Sequence, residues 1–214
     1  MEITWYGLSC FRLTERNLAT VVTDPYNSRV AGYEPLKLRA EIVTVSHEAP
    51  GHGFTSAVKG YSHLINTPGE FEIGSVFITG IQTNGYGKNK ADERRNTLYV
   101  FDYEGVTVAH LGDLQRVPSQ TEIEALGTVH IVLVPVGGGG GLNAAKAAEV
   151  VSLLEPGFVI PMHYGTAVCN FKLAPLSKFL KEMGLGAIKP QPSLKVTKKM
   201  IPDETRVVVL EYQH

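Results

Sequence analysis

The chain has 214 residues, 43% hydrophobic and 19% charged, with a formal net charge of -1. Wholesale disorder is excluded, and no global basic field exists to hold a nucleic acid or an anionic membrane. No apolar run approaches the ~20 residues of a spanning helix, no basic region precedes an apolar run as in a secretory signal, and Cys10 and Cys169 form neither a disulfide framework nor a CxxC metal pair.

Glycine and proline punctuate the chain at short intervals, and the runs between them are rich in Val, Ile, Thr, Tyr and Phe, which reads as strand. Ile3 to Tyr6, Cys10 to Leu13 and Thr20 to Thr23 predict an opening antiparallel set. Ile42 to Val45 predicts a buried strand running into a His-rich loop, and His63 to Ile65, Phe71 to Ile73 and Val76 to Ile81 continue the pattern. Leu98 to Tyr103 and Val106 to Leu111, joined by Glu104-Gly105, predict a hairpin with a tight turn. Thr121 to Leu126 reads as a short helix. Val129 to Val136, almost uninterrupted in apolar residues, reads as a central strand. Asn143 to Leu154 gives the clearest helix, Ala-rich, capped by Asn143 and stopped by Pro156. Phe158 to Met162 predicts a strand, Pro175 to Met183 a helix stopped at Gly184, and Arg206 to Tyr212 a closing strand. Strands in both halves with helices mostly in the second predict two sheets covered by helices, in one domain spanning 1–214.

The residues that could carry chemistry follow these strands. His47 and His52 lie in Val43-Thr-Val-Ser-His-Glu-Ala-Pro-Gly-His52, Asp113 closes Val108-Ala-His-Leu-Gly-Asp113, and His163 sits in Val159-Ile-Pro-Met-His-Tyr-Gly165. Polar residues on loops held by a rigid sheet are where sites are commonly built. Imidazole and carboxylate suit zinc, iron or manganese. Spacing alone leaves each histidine the alternative of a capped or partly buried polar residue. His63 and His130 fall in strand-like runs and read as structural, as does Cys169. Glu70 and Glu72 read as a solvated and a turn-supporting carboxylate. Gly137 to Gly141, ahead of the helix at Asn143, offers consecutive amides to an anion or else a mobile loop beside a site mouth. Lys88, Lys90, Arg94 and Arg95 form a basic cluster that reads as a solvated loop, with contact to an anionic substrate as the sharper alternative.

Several segments, in order, resemble the metallo-β-lactamase superfamily, in its branch of small metal-dependent hydrolases related to ascorbate-phosphate lactonase. They are Trp5-Tyr-Gly-Leu-Ser-Cys-Phe11, Thr23-Asp24-Pro25, Val45-Ser-His-Glu-Ala-Pro-Gly-His52, Thr67-Pro-Gly-Glu-Phe-Glu-Ile-Gly74, Asn96-Thr97, His110-Leu-Gly-Asp-Leu114, Pro135-Val-Gly-Gly138 and Pro161-Met-His-Tyr-Gly-Thr166. The resemblance implies an α+β fold, a four-layer αββα sandwich with its site on one edge between the sheets. The family's His-x-His-x-Asp-His signature is degenerate here: Ala49 stands for a histidine and Gly51 for the aspartate. Gln82-Thr-Asn-Gly-Tyr-Gly87 lacks the next ligand histidine, and Leu8 replaces an early supporting one.

What the resemblance leaves is His47, His52, Asp113 and His163. One half of the family's two-metal site is reduced to His47 and Asp113. The other keeps His52, Asp113 and His163, a workable set for one metal with open positions. The expectation is therefore one divalent transition metal, zinc or manganese, on His52, Asp113 and His163 with His47 at the rim, or no metal at all. Asp113 and His52 carry any catalysis, while Asp24 and His110 support the ligands. The implied activity is hydrolysis of a small anionic ester, lactone or phosphate compound, and the rival is a metal-free relic that binds a ligand or partner. A cytoplasmic protein with a small-molecule ligand, no membrane partner and no nucleic-acid partner completes the expectation, with self-association left open.

Overall fold

The computed structural model describes residues 1–84 and 95–214. The first half supplies β1 (Glu2–Gly7), β2 (Cys10–Thr14), β3 (Val21–Thr23), a one-turn α1 (Ser28–Ala31), β4 (Leu38–Arg39), β5 (Ile42–Thr44), β6 (Val58–Lys59) and β7 (His63–Ile65). The second supplies β8 (Gly69–Ile73), β9 (Val76–Asn84), β10 (Arg95–Tyr103), β11 (Val106–His110), α2 (Gln120–Leu126), β12 (Ile131–Pro135), α3 (Ala144–Leu154), β13 (Phe158–Met162), α4 (Leu176–Glu182), β14 (Leu194–Lys195) and β15 (Arg206–Val207).

Two sheets result, ordered β14-β1-β2-β3-β5-β7 and β15-β13-β12-β11-β10-β9-β8, and β4 pairs with β6 outside them. β1 alternates half-buried and buried residues, the period-2 signature of a strand with one face on a core. β12 and β13 are buried at every position, as parallel central strands covered on both faces must be. Between the sheets lie Ile3, Phe11, Leu13 and Ile42 from one side and Ile78, Tyr99, Phe101 and Val108 from the other. Buried tyrosines stitch the layers: the Tyr99 hydroxyl donates to the carbonyls of Val45 and Ile65, and the Tyr103 hydroxyl to those of Leu13 and Ala19. Helices α3 and α4 bury Ala147, Val150, Val151, Phe179 and Leu180 over the second sheet. The first sheet's outer face packs Val22, Val43 and Val45 against Tyr26, Ala31 and Tyr33. The architecture is the αββα sandwich.

The elements largely follow the sequence expectation. Glu104 and Gly105 both take positive φ, 52° and 82°, as a two-residue hairpin turn requires. Asn143 caps α3 by accepting from the Lys146 amide. Two expectations need correction. Arg206 to Tyr212 is not one strand: only Arg206–Val207 pairs with β13, and the chain then crosses to the first sheet, where Tyr212 bridges Trp5. Gly137 to Gly141 is an ordered turn, with the Gly138 amide donating to Leu142 and the Gly141 amide to Gly138.

Parallel topology sets the position of the site. β3, β5 and β7 run parallel in one sheet, and β11, β12 and β13 in the other. Their C-terminal ends therefore fall on one edge, and Asp24, His47, Asp113 and His163 all follow them.

Candidate metal centre

That edge holds a cleft of about 870 Å³ lined by His47, His52, Asp113 and His163. Its volume suits a small organic molecule. One donor atom each from His47, His52 and Asp113 can be chosen so that all three lie within 4.8 Å of one another. The imidazole rings of His47 and His52 are 4.2 Å apart at their centroids, and His47 Nε2 is 4.0 Å from Asp113 Oδ2. His163 stands behind His52, at 5.2 Å between ring centroids, and lies outside the tight triad. The closest donor set therefore includes His47, expected at the rim, and His163 borders it. The reason is local. His47 and His52 share one loop, whose Ala49-Pro50-Gly51 turn folds back so that the His52 amide donates to the Ala49 carbonyl at 2.9 Å.

Asp24 orients the set. It is fully buried and has φ 39°, a left-handed conformation uncommon outside glycine. Its carboxylate accepts from the Ser46 amide at 2.7 Å, the Ser46 hydroxyl at 2.6 Å and His52 Nδ1 at 2.8 Å. Burial would raise its pKa, but the His52 hydrogen bond, the neighbouring imidazoles and Ser46 outweigh it and hold the carboxyl down to about 2. An ionised carboxylate only accepts, so His52 carries its proton on Nδ1 and keeps the Nε2 lone pair for a metal.

Asp113 is positioned through its backbone. Its amide donates to Asn96 Oδ1 at 2.9 Å, while Asn96 Nδ2 donates to the Leu111 carbonyl at 3.1 Å. Gly112, at φ 59°, passes so close to Asn96 and Ser46 that a side chain there would collide with both. Gly141 leaves the space that the Asp113 carboxylate fills. His110 does not touch that carboxylate, contrary to a direct supporting role. Its Nε2 donates to the Ser9 carbonyl at 2.9 Å, its Nδ1 accepts the Gly112 amide at 3.2 Å, and it acts only on the turn leading to Asp113. Burial lowers its pKa, in keeping with a neutral ring.

His163 has φ 52°, and its amide donates to the Leu8 carbonyl, which also accepts Trp5 Nε1. Burial and the adjacent His52 depress its pKa to about 3, so it is neutral and available as a ligand. Its Nδ1 is buried with no hydrogen-bond partner among the described residues. Burying a polar atom without a partner is costly.

The supporting roles of Ser46, Asn96 and Gly112 were not expected, although Asn96 and Gly112 fall within segments that carried the resemblance. Cys169 is half-buried with its Sγ 3.8 Å from the Phe171 carbonyl. Glu70 and Glu72 are exposed on β8, His63 bonds Ser62, and His130 bonds Thr107. Lys88, Lys90 and Arg94 lie outside the described residues, whereas Arg95 lines the cleft.

These residues fit one transition metal. Donors sharing a zinc ion sit at most about 4.4 Å apart, twice the metal–ligand distance, and the triad is within a few tenths of an ångström of that. Ala49 and Gly51 offer no donor side chains, and a Cβ built on Gly51 would meet Phe171 at 3.4 Å and Leu8 at 3.6 Å, both apolar.

Comparison with known proteins agrees with this architecture. Residues 2–163 match the family model described as a beta-lactamase superfamily domain. A UPF0173 protein of Pyrococcus furiosus is 27% identical, covering 86% of this chain and 90% of its own. A UPF0173 metal-dependent hydrolase of Thermoplasma acidophilum is 25% identical over 78% and 84%. A crystal structure from Thermotoga maritima, of a protein assigned to the Zn-dependent hydrolases of the metallo-beta-lactamase superfamily, is 35% identical. It covers 99% of both chains with a TM-score of 0.80. This chain belongs to the metallo-β-lactamase superfamily.

Proposed function

We propose that the protein is a one-metal hydrolase of a small ester, lactone or phosphate compound, with zinc or manganese held by His47, His52 and Asp113 and bordered by His163. The observation that carries this reading is the triad of donors at the strand ends, together with the absence of donor side chains at Ala49 and Gly51. The Thermotoga and Thermoplasma relatives, described as Zn-dependent and metal-dependent hydrolases, support it.

A metal bound there supplies Lewis acidity, polarising a carbonyl or phosphoryl oxygen and acidifying water. The chain's own groups do the rest. Asp24 holds His52 in the ligand tautomer. Asn96 and the Gly112 turn aim Asp113 into the cleft, where its carboxylate balances cationic charge and can accept a proton from an attacking water. His163, neutral and buried, adds a further nitrogen beside His52. Pro50, Phe171 and Leu173 give the cleft apolar surface, which lowers local polarity and strengthens these electrostatic contacts.

The test is calorimetric titration of zinc and manganese into metal-free wild type, His47→Ala, Asp113→Ala and His163→Ala. One equivalent should bind, with the largest losses in the first two variants and a smaller one in His163→Ala. Two equivalents would refute the one-metal reading. No binding would refute it in favour of a metal-free ligand-binding protein.

A further inference from the structure

Two cations line the same cleft from different parts of the chain. Arg95 opens β10, whose backbone pairs with β9, and Lys172 lies in the segment between β13 and α4. Both are exposed, and neither makes an ion pair within the described residues. Glu48 at the rim and Asp113 are the carboxylates that the described lining contains.

The backbone under Lys172 is pinned on both sides. The Asn170 amide donates to the Ala31 carbonyl at 2.9 Å, and the Ala174 amide to the Gly137 carbonyl at 2.8 Å. Next to it, Leu173 packs where Gly137, Gly139 and Gly165 lack side chains. At the start of β10, the Thr97 amide, two residues from Arg95, donates to the Ser46 carbonyl at 2.8 Å. Both cations therefore stand on ordered backbone, with their side chains free to close on a ligand. Phe171 and Leu173, flanking Lys172, put apolar surface beside that charge.

A solvated surface lysine or arginine needs no such setting. Two cations without ion-pair partners among the described residues, on separate sequence segments and lining one partly apolar cleft, make a receptor for an oxyanion, because the low-polarity wall strengthens each charge-assisted hydrogen bond. We infer that Lys172 and Arg95 bind a carboxylate or phosphate group of the substrate, one set apart from the bond that is cut, with the substrate's apolar body against Phe171 and Leu173. The inference rests on the hydrolase reading of the cleft and names its substrate class: a small organic oxyanion.

The experiment titrates phenyl phosphate, phenylacetate and neutral phenethyl alcohol into wild type, Lys172→Gln, Arg95→Gln and the double variant by calorimetry, after recording zinc uptake by the same samples. Both anions, or one of them, should bind the wild type, and the alcohol should not. Each single variant should weaken anion binding by about tenfold or more, the scale of one charge-assisted hydrogen bond, while zinc uptake is unchanged. Preference for phenyl phosphate over phenylacetate, or the reverse, identifies the oxyanion. Anion affinities equal in all four proteins would overturn the inference and leave the metal as the sole anion receptor. Equal binding of the alcohol, or no anion binding, would overturn it too. Should zinc not be taken up, the same titrations still decide it: the anions should bind the metal-free chain through Lys172 and Arg95, so failure of the metal reading and failure of this one are read separately.

Discussion

Asp24→Asn isolates what the buried carboxylate does for the metal ligands. The side chain keeps its shape but exchanges one acceptor oxygen for an NH2 donor. One Asp24 oxygen accepts from the Ser46 amide, and the other is shared by the Ser46 hydroxyl and His52 Nδ1. An NH2 facing the Ser46 amide would set donor against donor. The amide therefore turns its oxygen to Ser46 and its NH2 to His52. His52 can then bond only by accepting on Nδ1, which moves its proton to Nε2, the nitrogen needed by the metal.

Binding metal in the variant requires giving up that bond or shifting the tautomer. A hydrogen bond to a charged group contributes about 1.5–3 kcal/mol, so affinity should fall by about 10–100-fold. Supporting carboxylates of metal-bound histidines elsewhere have effects of about that size. Ser46→Ala removes one bond to the carboxylate and the hydroxyl's 3.3 Å contact with His47 Nδ1 but leaves the Asp24–His52 bond, and should cost less than about tenfold. Calorimetric zinc titration of both variants and wild type is the assay, with thermal unfolding to confirm that each is folded. Zinc affinity of Asp24→Asn within twofold of wild type would refute the tautomer argument.

Gly112→Ala should destabilise the protein by about 1–2 kcal/mol from the left-handed backbone alone, and by more from collision with Asn96 and Ser46; chemical denaturation measures it, and an unchanged midpoint would contradict the turn's role. Gly51→Asp places a carboxylate on a backbone with ordinary van der Waals room for a Cβ, and should tighten zinc binding by more than about tenfold; unchanged affinity would mean that position 51 does not face the donor set. Arg116 holds the Glu122 carboxyl below its usual range through bonds of 2.6 and 2.7 Å, with burial opposing and the Ser119 cap assisting. Because the folded pKa is the lower one, this stabilisation is present above the ordinary glutamate pKa and lost as pH falls through the folded value. At such a partly exposed pair it should amount to no more than about 1 kcal/mol. Glu122→Gln should accordingly lower the melting temperature at pH 7 but not at pH 2.

The sheets were legible because their strands obey short-range rules. β12 and β13 read as unbroken apolar runs, and the hairpin at Glu104-Gly105 announced itself by turn chemistry. The C-terminal segment was not, because Val207 and Tyr212 pair with different sheets, and a change of layer leaves the residue types unchanged. The histidines and Asp113 stood out as residues following strands, in segments that carry the resemblance, whereas the close approach of His47 to His52 had no signal there. Motif position says which half of a two-metal site a ligand descends from. Distance depends on how the Ala49-Pro50-Gly51 turn brings His47 and His52 to 4.2 Å, and that is a tertiary outcome. The scaffold of Ser46, Asn96 and Gly112 was equally opaque, since its contacts join residues up to 66 positions apart, as when Gly112 leaves room for Ser46.

That scaffold bears on whether the centre is a relic. An ionised carboxylate at Asp24, with no solvent exposure, carries a desolvation cost that its hydrogen bonds must offset. Part of that compensation comes from His52, whose orientation then has no further consequence unless something uses Nε2. His163 adds a second expense, a left-handed backbone and a buried Nδ1 with no partner among the described residues. Apolar side chains at these positions would fill the same space at lower cost, as Phe171 does beside Gly51. Asp24 and His163, both left-handed, lie directly against His52 in the donor cluster. Strain held at a ligand cluster points to function, and it supports the one-metal reading over a metal-free remnant.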